Sequence, residues 1–145
     1  KELAEVEKER AQLEQATADM VVCGEQQPES DHFVEMENSV IGSEQGTPWR
    51  ETRGWFAYKM KSKGKPVNAV RIESFPDAAK DADVYVNEVK IGSVQGKNAL
   101  HTLLLPKELW KASEWEVKIM RGKSEVTPKF RAVRMILSKN LSLNE

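Results

Sequence analysis

The chain has 145 residues, enough for one domain with a sizeable hydrophobic core. Apolar residues make up 39% and charged residues 31%, and the net charge of -1 gives no electrostatic reason to expect nucleic acid or an anionic membrane surface as a partner. No apolar run approaches the roughly 20 residues needed to span a bilayer, so the sequence does not predict a membrane protein.

The first residue is Lys1, and no signal-peptide pattern follows it. We therefore expect the sequence to be a piece of a longer protein, with any targeting segment in another part. The single cysteine, Cys23, excludes a disulfide within these residues and a zinc site built from several cysteines.

Residues 1–18 are strong helix formers without glycine or proline, which predicts a helix. Leu3, Val6 and Leu13 fall near one face of it and form an apolar stripe that is too thin for a core. We interpret this segment as a linker helix or the tail of a preceding domain. A β-sandwich domain is then expected over residues 19–140.

The clearest early strand covers residues 55–61, where Phe56, Tyr58 and Met60 point one way and Lys59 lies between them on the other face. Residues 24–31 have the polar composition of a loop. The pairs at 38–39 and 42–43 are expected to interrupt the strands before it.

Later segments repeat the alternating pattern. Residues 82–86 and 89–91 flank Asn87-Glu88, which predicts a β-hairpin. Residues 114–121 alternate most regularly, with Trp115 on the inward face. About seven or eight short strands separated by turns, with almost no helix between them, predict an all-β fold: an antiparallel β-sandwich or jelly roll with a short N-terminal helical extension.

No motif for catalysis is present: there is no nucleophile elbow, phosphate-binding loop, zinc-protease helix or dinucleotide fingerprint. Cys23 follows two valines and is expected to be a buried apolar residue. His32 and His101 are far apart in sequence and lack evident metal-binding partners. The sequence therefore predicts no catalytic residues, no cofactor and no metal site.

One alternative stays open for the loop carboxylates. Asp77, Asp81 and Asp83 could bind calcium, as loops of β-sandwiches sometimes do, but their spacing differs from that of an EF-hand loop. An ordinary surface loop is the preferred interpretation.

The tryptophans are the most informative candidates for binding. Trp55 lies off the inward face of its strand, and Trp49 lies in a turn-rich segment, so both are expected to be accessible. A carbohydrate-binding platform of Trp49 and Trp55, aided by Arg50 and Tyr58, is one hypothesis, because a flat apolar ring suits the C–H face of a sugar. Contact with a neighbouring domain is the alternative.

The order of several segments resembles the C-terminal β-sandwich accessory domain of the β-L-arabinofuranosidase-type glycoside hydrolases (family 127, formerly a domain-of-unknown-function family). The resemblance covers residues 19–137 and is carried by residues 24–32, Asn38-Ser39, Gly42, Trp49-Arg50, residues 54–58, residues 83–87 with 89–91, and residues 106–109.

This resemblance implies a non-catalytic accessory domain that packs on the catalytic domain of a glycoside hydrolase. In that family a barrel domain carries the chemistry, with a zinc-bound cysteine and a glutamate, and no motif here matches those residues. The resemblance also implies export from a bacterium to the periplasm or the exterior. The expected partner is the catalytic domain, with neither nucleic acid nor membrane. A carbohydrate-binding module using exposed aromatics is the alternative function, with a plant oligosaccharide as its partner.

Overall fold

A computed structural model describes residues 3–139 and confirms the predicted all-β fold with a short N-terminal helix. The elements, in chain order, are α1 (Leu3–Ala16), β1 (Thr17–Val22), α2 (Gln26–Asp31), β2 (Glu35–Glu44), β3 (Thr47–Lys61), β4 (Ala69–Ser74), β5 (Asp81–Val86), β6 (Val89–Gln95), β7 (Leu100–Leu104), a 3-10 turn (Lys107–Leu109), β8 (Glu114–Arg121) and β9 (Phe130–Ile136).

The strands form one antiparallel sheet that bends into a nearly closed sandwich. Its strand order is β6-β5-β8-β3-β9-β4-β7, with β1 added beside β9 and β2 beside β3. The two ends of this path approach each other, since the Gln95 amide of β6 donates to Nε2 of His101 on β7 at 3.1 Å. The long strand β3 connects both parts, because it pairs with β2, with β8 and, at Arg50, with β9.

The core lies between the inward faces of the strands, as their alternation requires. The largest fully buried side chains come from β3, β8, β9 and β4: Trp115, Tyr58, Phe56, Phe130, Met60, Ile72, Ile119 and Met135. The sequence placed Trp115 and the alternating set of β3 on the inward face, and the structure agrees. Trp115 also satisfies its indole N–H, which donates to the Leu109 carbonyl at 2.8 Å.

The predicted hairpin around Asn87-Glu88 is present as β5–β6. Both turn residues have positive φ, 49° for Asn87 and 70° for Glu88, which is the geometry that matches the twist of two-residue hairpins. Glutamate resists such a φ, and the turn is tied to β8 at the neighbouring Asn87, whose backbone N–H donates to the Glu116 carbonyl at 2.9 Å.

The segment before β3 differs from the sequence expectation in three ways. The helix ends at Ala16, and β1 begins at Thr17, so the change from helix to strand comes before residue 19. Residues 26–31, expected as a loop, form the helix α2, with Pro28 in its first turn, where a missing N–H costs nothing.

The expected interruptions at residues 38–39 and 42–43 are also wrong, because β2 runs through both. Asn38 lies opposite a bulge in β3: its φ is 56°, and the register shifts there, because the two steps from Glu37 to Ser39 face the three steps from Trp55 to Thr52. A bulge inserts one residue without ending the strand, which explains why a turn-forming residue does not mark a boundary here.

Helix α1 contributes little to the core. The side chains of residues 4–16 are mostly exposed, and Leu13 packs against the small cluster of Ala69, Ile136 and Leu104. The thin apolar stripe predicted for this helix is thus too small to bury it. No helix within residues 3–139 is long and apolar enough to cross a bilayer.

Candidate functional site

The outward surface of β3, β8 and β5 gathers three aromatic side chains, and we call Phe33, Trp55 and Tyr85 the outer aromatic face. Strand register places them: Trp55 lies opposite Met120 of β8, and Tyr85 lies opposite Lys118. Phe33 precedes β2 and lies beside β3, because the Lys59 amide donates to the His32 carbonyl at 2.8 Å. All three project away from the core.

Lysines lie against two of these rings. Nζ of Lys118 lies 4.8 Å from the Trp55 ring centre, and Nζ of Lys59 lies 5.8 Å from the Phe33 ring centre, both within cation–π range. Within residues 3–139, neither lysine belongs to an ion pair at 4.0 Å or less. Their ammonium groups therefore keep N–H donors available beside apolar ring surface.

Phe33 is the most exposed large apolar side chain among the described residues, with 62% of its surface accessible. It also has a positive φ of 52°, which costs a non-glycine residue about 1–2 kcal/mol. The backbone is held there by α2, whose Ser30 carbonyl accepts the Phe33 amide at 3.1 Å. An aromatic ring kept at the surface in a strained backbone is a reason to look for a ligand there.

Trp55 and Tyr85 are half-buried, and Trp49 is half-buried elsewhere on the outward surface. Trp49 and Trp55 share one face of β3 but are six residues apart, or about 20 Å along a strand. The Trp49 ring covers Gly42 of β2, and Lys129 Nζ lies 4.8 Å from its centre. The structure therefore does not bring the two predicted tryptophans together.

Arg50 and Tyr58, predicted beside the tryptophans, lie inside the protein. Arg50 is 4% exposed and Tyr58 is fully buried. Both bind Glu29 of α2: Arg50 donates from Nε and Nη2 at 2.7 and 2.8 Å, and the Tyr58 hydroxyl donates at 2.5 Å. Direct contact of these two side chains with a sugar does not agree with this burial, because both are already engaged in the interior.

The side chains around Glu29 are of the types found in catalytic sites. The directions of their pKa shifts, however, indicate a structural role. Burial alone would raise the pKa of Glu29, but the hydrogen bonds from Arg50 and Tyr58 outweigh it and hold that pKa below its ordinary value. Burial raises the pKa of the Cys23 thiol to about 12, so the thiol is protonated and unreactive. These groups anchor α2 to β3.

A second polar contact holds the other end of α2. Nδ1 of His32 lies 2.7 Å from the Pro28 carbonyl oxygen, and Nε2 lies 2.8 Å from Oδ1 of Asp19. Both partners accept hydrogen bonds, so the protonated form of His32, with hydrogen on both ring nitrogens, is the one that satisfies both contacts. The hydrogen bond to Asp19 raises the pKa of His32 above its ordinary value, against the opposing effect of burial.

This contact predicts how stability depends on pH. Because the folded pKa of His32 is raised, its contribution is complete below the unfolded value of about 6.5 and is lost as pH rises through the folded pKa. We expect wild type to lose on the order of 1 kcal/mol of unfolding free energy from this group, as urea midpoints between pH 6 and 9 would measure. In His32→Gln this loss should disappear.

His101→Gln is the control for that experiment. Burial lowers the pKa of His101, so its contribution has the opposite sign and is lost as pH falls. A His101→Gln variant that removes the alkaline loss of stability, or a His32→Gln variant that retains it, would contradict the assignment to His32.

The loop carboxylates considered for calcium have separate partners. Asp81 accepts the backbone N–H groups of Lys123 and Ser124, and these bonds, with that from the Ser124 hydroxyl, lower its pKa. Asp77 pairs with Lys80 at 3.2 Å, and Asp83 accepts the Ser93 hydroxyl at 2.9 Å. Within residues 3–139, no group of three or more histidine, cysteine or carboxylate side chains is arranged to hold a metal ion.

Two clefts lie away from the outer aromatic face. The larger, about 700 Å³, lies between the end of α1 and the segments around Pro66 and Leu137, and its lining residues include no aromatic or acidic side chain. The smaller, about 200 Å³, is lined by Phe75 and by two pairs of opposite charge, Lys80 with Asp77 and Lys129 with Glu44. Neither combines accessible rings with unpaired donors.

A sequence-family model, described as a family of unknown function (DUF6805), matches residues 12–136. The chain therefore belongs to this family. The match begins within α1 and includes every strand, so most of the helix lies outside the family's shared region. A comparison with curated proteins gave no match.

Solved structures with a similar fold include several carbohydrate-binding modules. The CBM36-1 domain of a multidomain xylanase from the hindgut metagenome of Trinervitermes trinervoides has a TM-score of 0.55 at 8% identity, covering 82% of this chain and 96% of that one. A family 35 carbohydrate-binding module from Clostridium thermocellum has a TM-score of 0.52 at 9% identity, covering 82% and 98%.

The fold is also shared with plant receptors. The extracellular domain of ANXUR1 from Arabidopsis thaliana has a TM-score of 0.57 at 12% identity, covering 85% of this chain and 42% of that one. At these identities the likeness concerns the fold, which this chain shares with carbohydrate-binding modules and with parts of receptor ectodomains.

Proposed function

We propose that this domain is a non-catalytic carbohydrate-binding module and that the outer aromatic face is its binding surface. The observation that carries the proposal is the presence of Phe33, Trp55 and Tyr85 on one face of the sheet, beside two lysines outside any ion pair among residues 3–139. Sugars present flat C–H faces to aromatic rings and hydroxyl groups to hydrogen-bond donors. The three rings could therefore stack on a sugar, and the two lysines could donate to its hydroxyl groups.

Geometry favours an extended ligand over a single ring. Trp55 and Tyr85 lie on strands that are separated by β8, which puts them about 10 Å apart across the sheet. Phe33 lies on the far side of β3 from Tyr85, next to Lys59. A chain of several sugar units crossing the strands would touch the three rings in turn, with Lys118 between two of them.

The fold of the similar structures supports this proposal, since modules of families 35 and 36 share it. One of the similar modules was solved in complex with calcium and xylotriose. For this chain we propose a plant oligosaccharide as ligand, held by stacking and by lysine N–H donors.

We further propose that the module is an accessory domain of an exported bacterial glycoside hydrolase, attached to its catalytic domain. The sequence resemblance to the β-sandwich of family 127 enzymes supports this, as does an N-terminal helix that packs little of its own surface. Packing on the catalytic domain without any sugar contact is the alternative role, and it would use exposed apolar surface in the same way.

Calorimetric titration of the full chain with arabinose- and xylose-containing oligosaccharides tests the binding function. We expect saturable binding that Trp55→Ala weakens at least tenfold, because truncation of a stacking ring removes the centre of the contact. Trp49→Ala is the matched control: it removes the same side chain from the same face of β3 but outside the outer aromatic face, and it should change the affinity less than twofold.

Three results would contradict the proposal. They are the absence of binding to every oligosaccharide in the panel, wild-type affinity in Trp55→Ala, and equal losses in both tryptophan variants. Urea unfolding of each variant shows whether a loss of binding accompanies an intact fold.

A further inference from the structure

Strand β2 has one edge that no other strand covers. It spans Glu35–Glu44 and pairs with β3 alone, and within residues 3–139 no backbone hydrogen bond reaches its other edge. These ten residues, extended except at Asn38, leave about 33 Å of edge with free N–H and C=O groups. Such an edge is a template for pairing with another strand.

The ends of the main sheet are protected, in contrast to β2. Strands β6 and β7 approach each other, and Leu103 of β7 packs so closely over Gly92 of β6 that a Cβ there would meet its Cδ2 at 3.0 Å. The Gln95 amide is also capped by His101. These two edges close on one another, so they are poor templates for a further strand.

Strand β2 and the residue pair before it also carry exposed apolar side chains. Among the described residues, four of the six large exposed apolar side chains lie in this short stretch: Phe33 (62%), Met36 (41%), Val40 (56%) and Ile41 (53%). Proteins usually guard an edge with lysine or proline, and β2 has neither. The irregularity at Asn38, opposite the bulge in β3, and three glutamates are its protective features.

The charges of β2 indicate which occupant fits. Its ionisable residues are Glu35, Glu37 and Glu44, and it has no basic residue of its own, although Lys129 pairs with Glu44 at 3.1 Å. A second copy of β2 paired antiparallel over the full strand would place Glu35 opposite Glu44 at both ends. Like charges directly opposite each other are destabilising, so self-pairing is disfavoured. A partner strand with lysine or arginine at its ends would place opposite charges face to face and would stabilise the pairing.

We propose that the free edge of β2 binds an extended basic segment of another polypeptide by strand addition. Backbone hydrogen bonds would supply most of the affinity. Apolar or β-branched side chains of the partner would cover Val40 and Ile41, and lysine or arginine would lie opposite Glu35 and Glu44. This edge adjoins the outer aromatic face at Phe33 and adds a protein partner to the proposed function.

Two synthetic ten-residue peptides of alternating threonine and valine, one ending in lysine and the other in glutamate, test the inference on the full chain. Amide hydrogen exchange by NMR is the measurement. We expect the lysine-ended peptide to slow exchange at β2 amides and to bind at least tenfold more tightly than the glutamate-ended one.

Three variants test whether the peptide binds at the free edge of β2. Val40→Lys puts an ammonium group on the free edge and should weaken binding at least tenfold. Val89→Lys is its matched control, since Val89 is 46% exposed on the outer strand β6, and it should bind as wild type does. The double variant Glu35→Lys/Glu44→Lys should prefer the glutamate-ended peptide.

Several outcomes would overturn the inference. These are no change of exchange in β2, equal affinity for the two peptides, equal weakening by Val40→Lys and Val89→Lys, or a dimer of the chain that Val40→Lys dissociates. The last result would assign the edge to a second copy of the chain.

Discussion

Replacing Arg50 by alanine is expected to lower the free energy of unfolding by about 3–5 kcal/mol. Arg50 and Glu29 are both almost fully buried, and two parallel hydrogen bonds join them. Removing the guanidinium leaves a carboxylate in the interior with the Tyr58 hydroxyl and the Gly24 amide as its remaining partners. A buried charge without its counter-charge is far more costly than a lost surface pair.

Arg53→Ala is the matched control for this prediction. Arg53 follows Arg50 on the same strand and pairs with Glu125, but both side chains are largely exposed, so its loss should change stability by about 0.5 kcal/mol or less. Denaturant unfolding measures both variants. A Glu29→Gln background should reduce the effect of Arg50→Ala, because no charge then remains to be compensated.

The same variant tests the role first predicted for Arg50. If the guanidinium contacted a sugar, Arg50→Ala would weaken oligosaccharide binding and leave stability near that of wild type. We expect instead that Arg50→Ala lowers the stability of the fold, and that any loss of binding results from unfolding. A stable Arg50→Ala protein without affinity would contradict the buried anchor.

The strands with regular alternation were predictable because a buried face and a solvated face leave a period of two in the sequence. β8 and β5 follow this rule, and so does most of the second half of β3. The helix α2 and the continuity of β2 were not predictable in the same way, since Pro28 and Asn38 are loop-forming residues that a helix start and a bulge can accommodate.

The candidate site was predictable in part from the same period. Tyr58 shares the inward face with Phe56, and extending the alternation back along β3 puts Arg50 on that face too, so the sequence held a signal for the burial of both. Tyr85 lies between the inward Val84 and Val86, which indicated an outward ring. These assignments needed only local pattern.

What the sequence could not supply is the pairing between distant strands. The neighbourhood of Trp55, Lys118 and Tyr85 depends on β8 lying between β3 and β5, and long-range register is not encoded in any local pattern. The exposure of Phe33 depends on a positive φ that is set by α2. A phenylalanine in the sequence does not predict such a φ.

Phe130→Ala is expected to destabilise the domain by about 3–5 kcal/mol, the range for removing a large aromatic from a core. Phe130 is fully buried at the start of β9, where this strand meets β3 at Arg50 and β4 at Ser74. Its ring packs edge to face with Phe56, with ring centres 5.9 Å apart. The cavity would therefore open at the junction between the two parts of the sheet.

Phe33→Ala is the matched control, and the pair separates folding from binding. Phe33 is 62% exposed, so its truncation should change the free energy of unfolding by about 0.5 kcal/mol or less while weakening oligosaccharide binding. Phe130→Ala should retain wild-type affinity in the fraction of molecules that stays folded, because no part of its ring reaches the surface. Equal stability losses in the two variants would contradict the assigned positions, since one ring would then be as buried as the other.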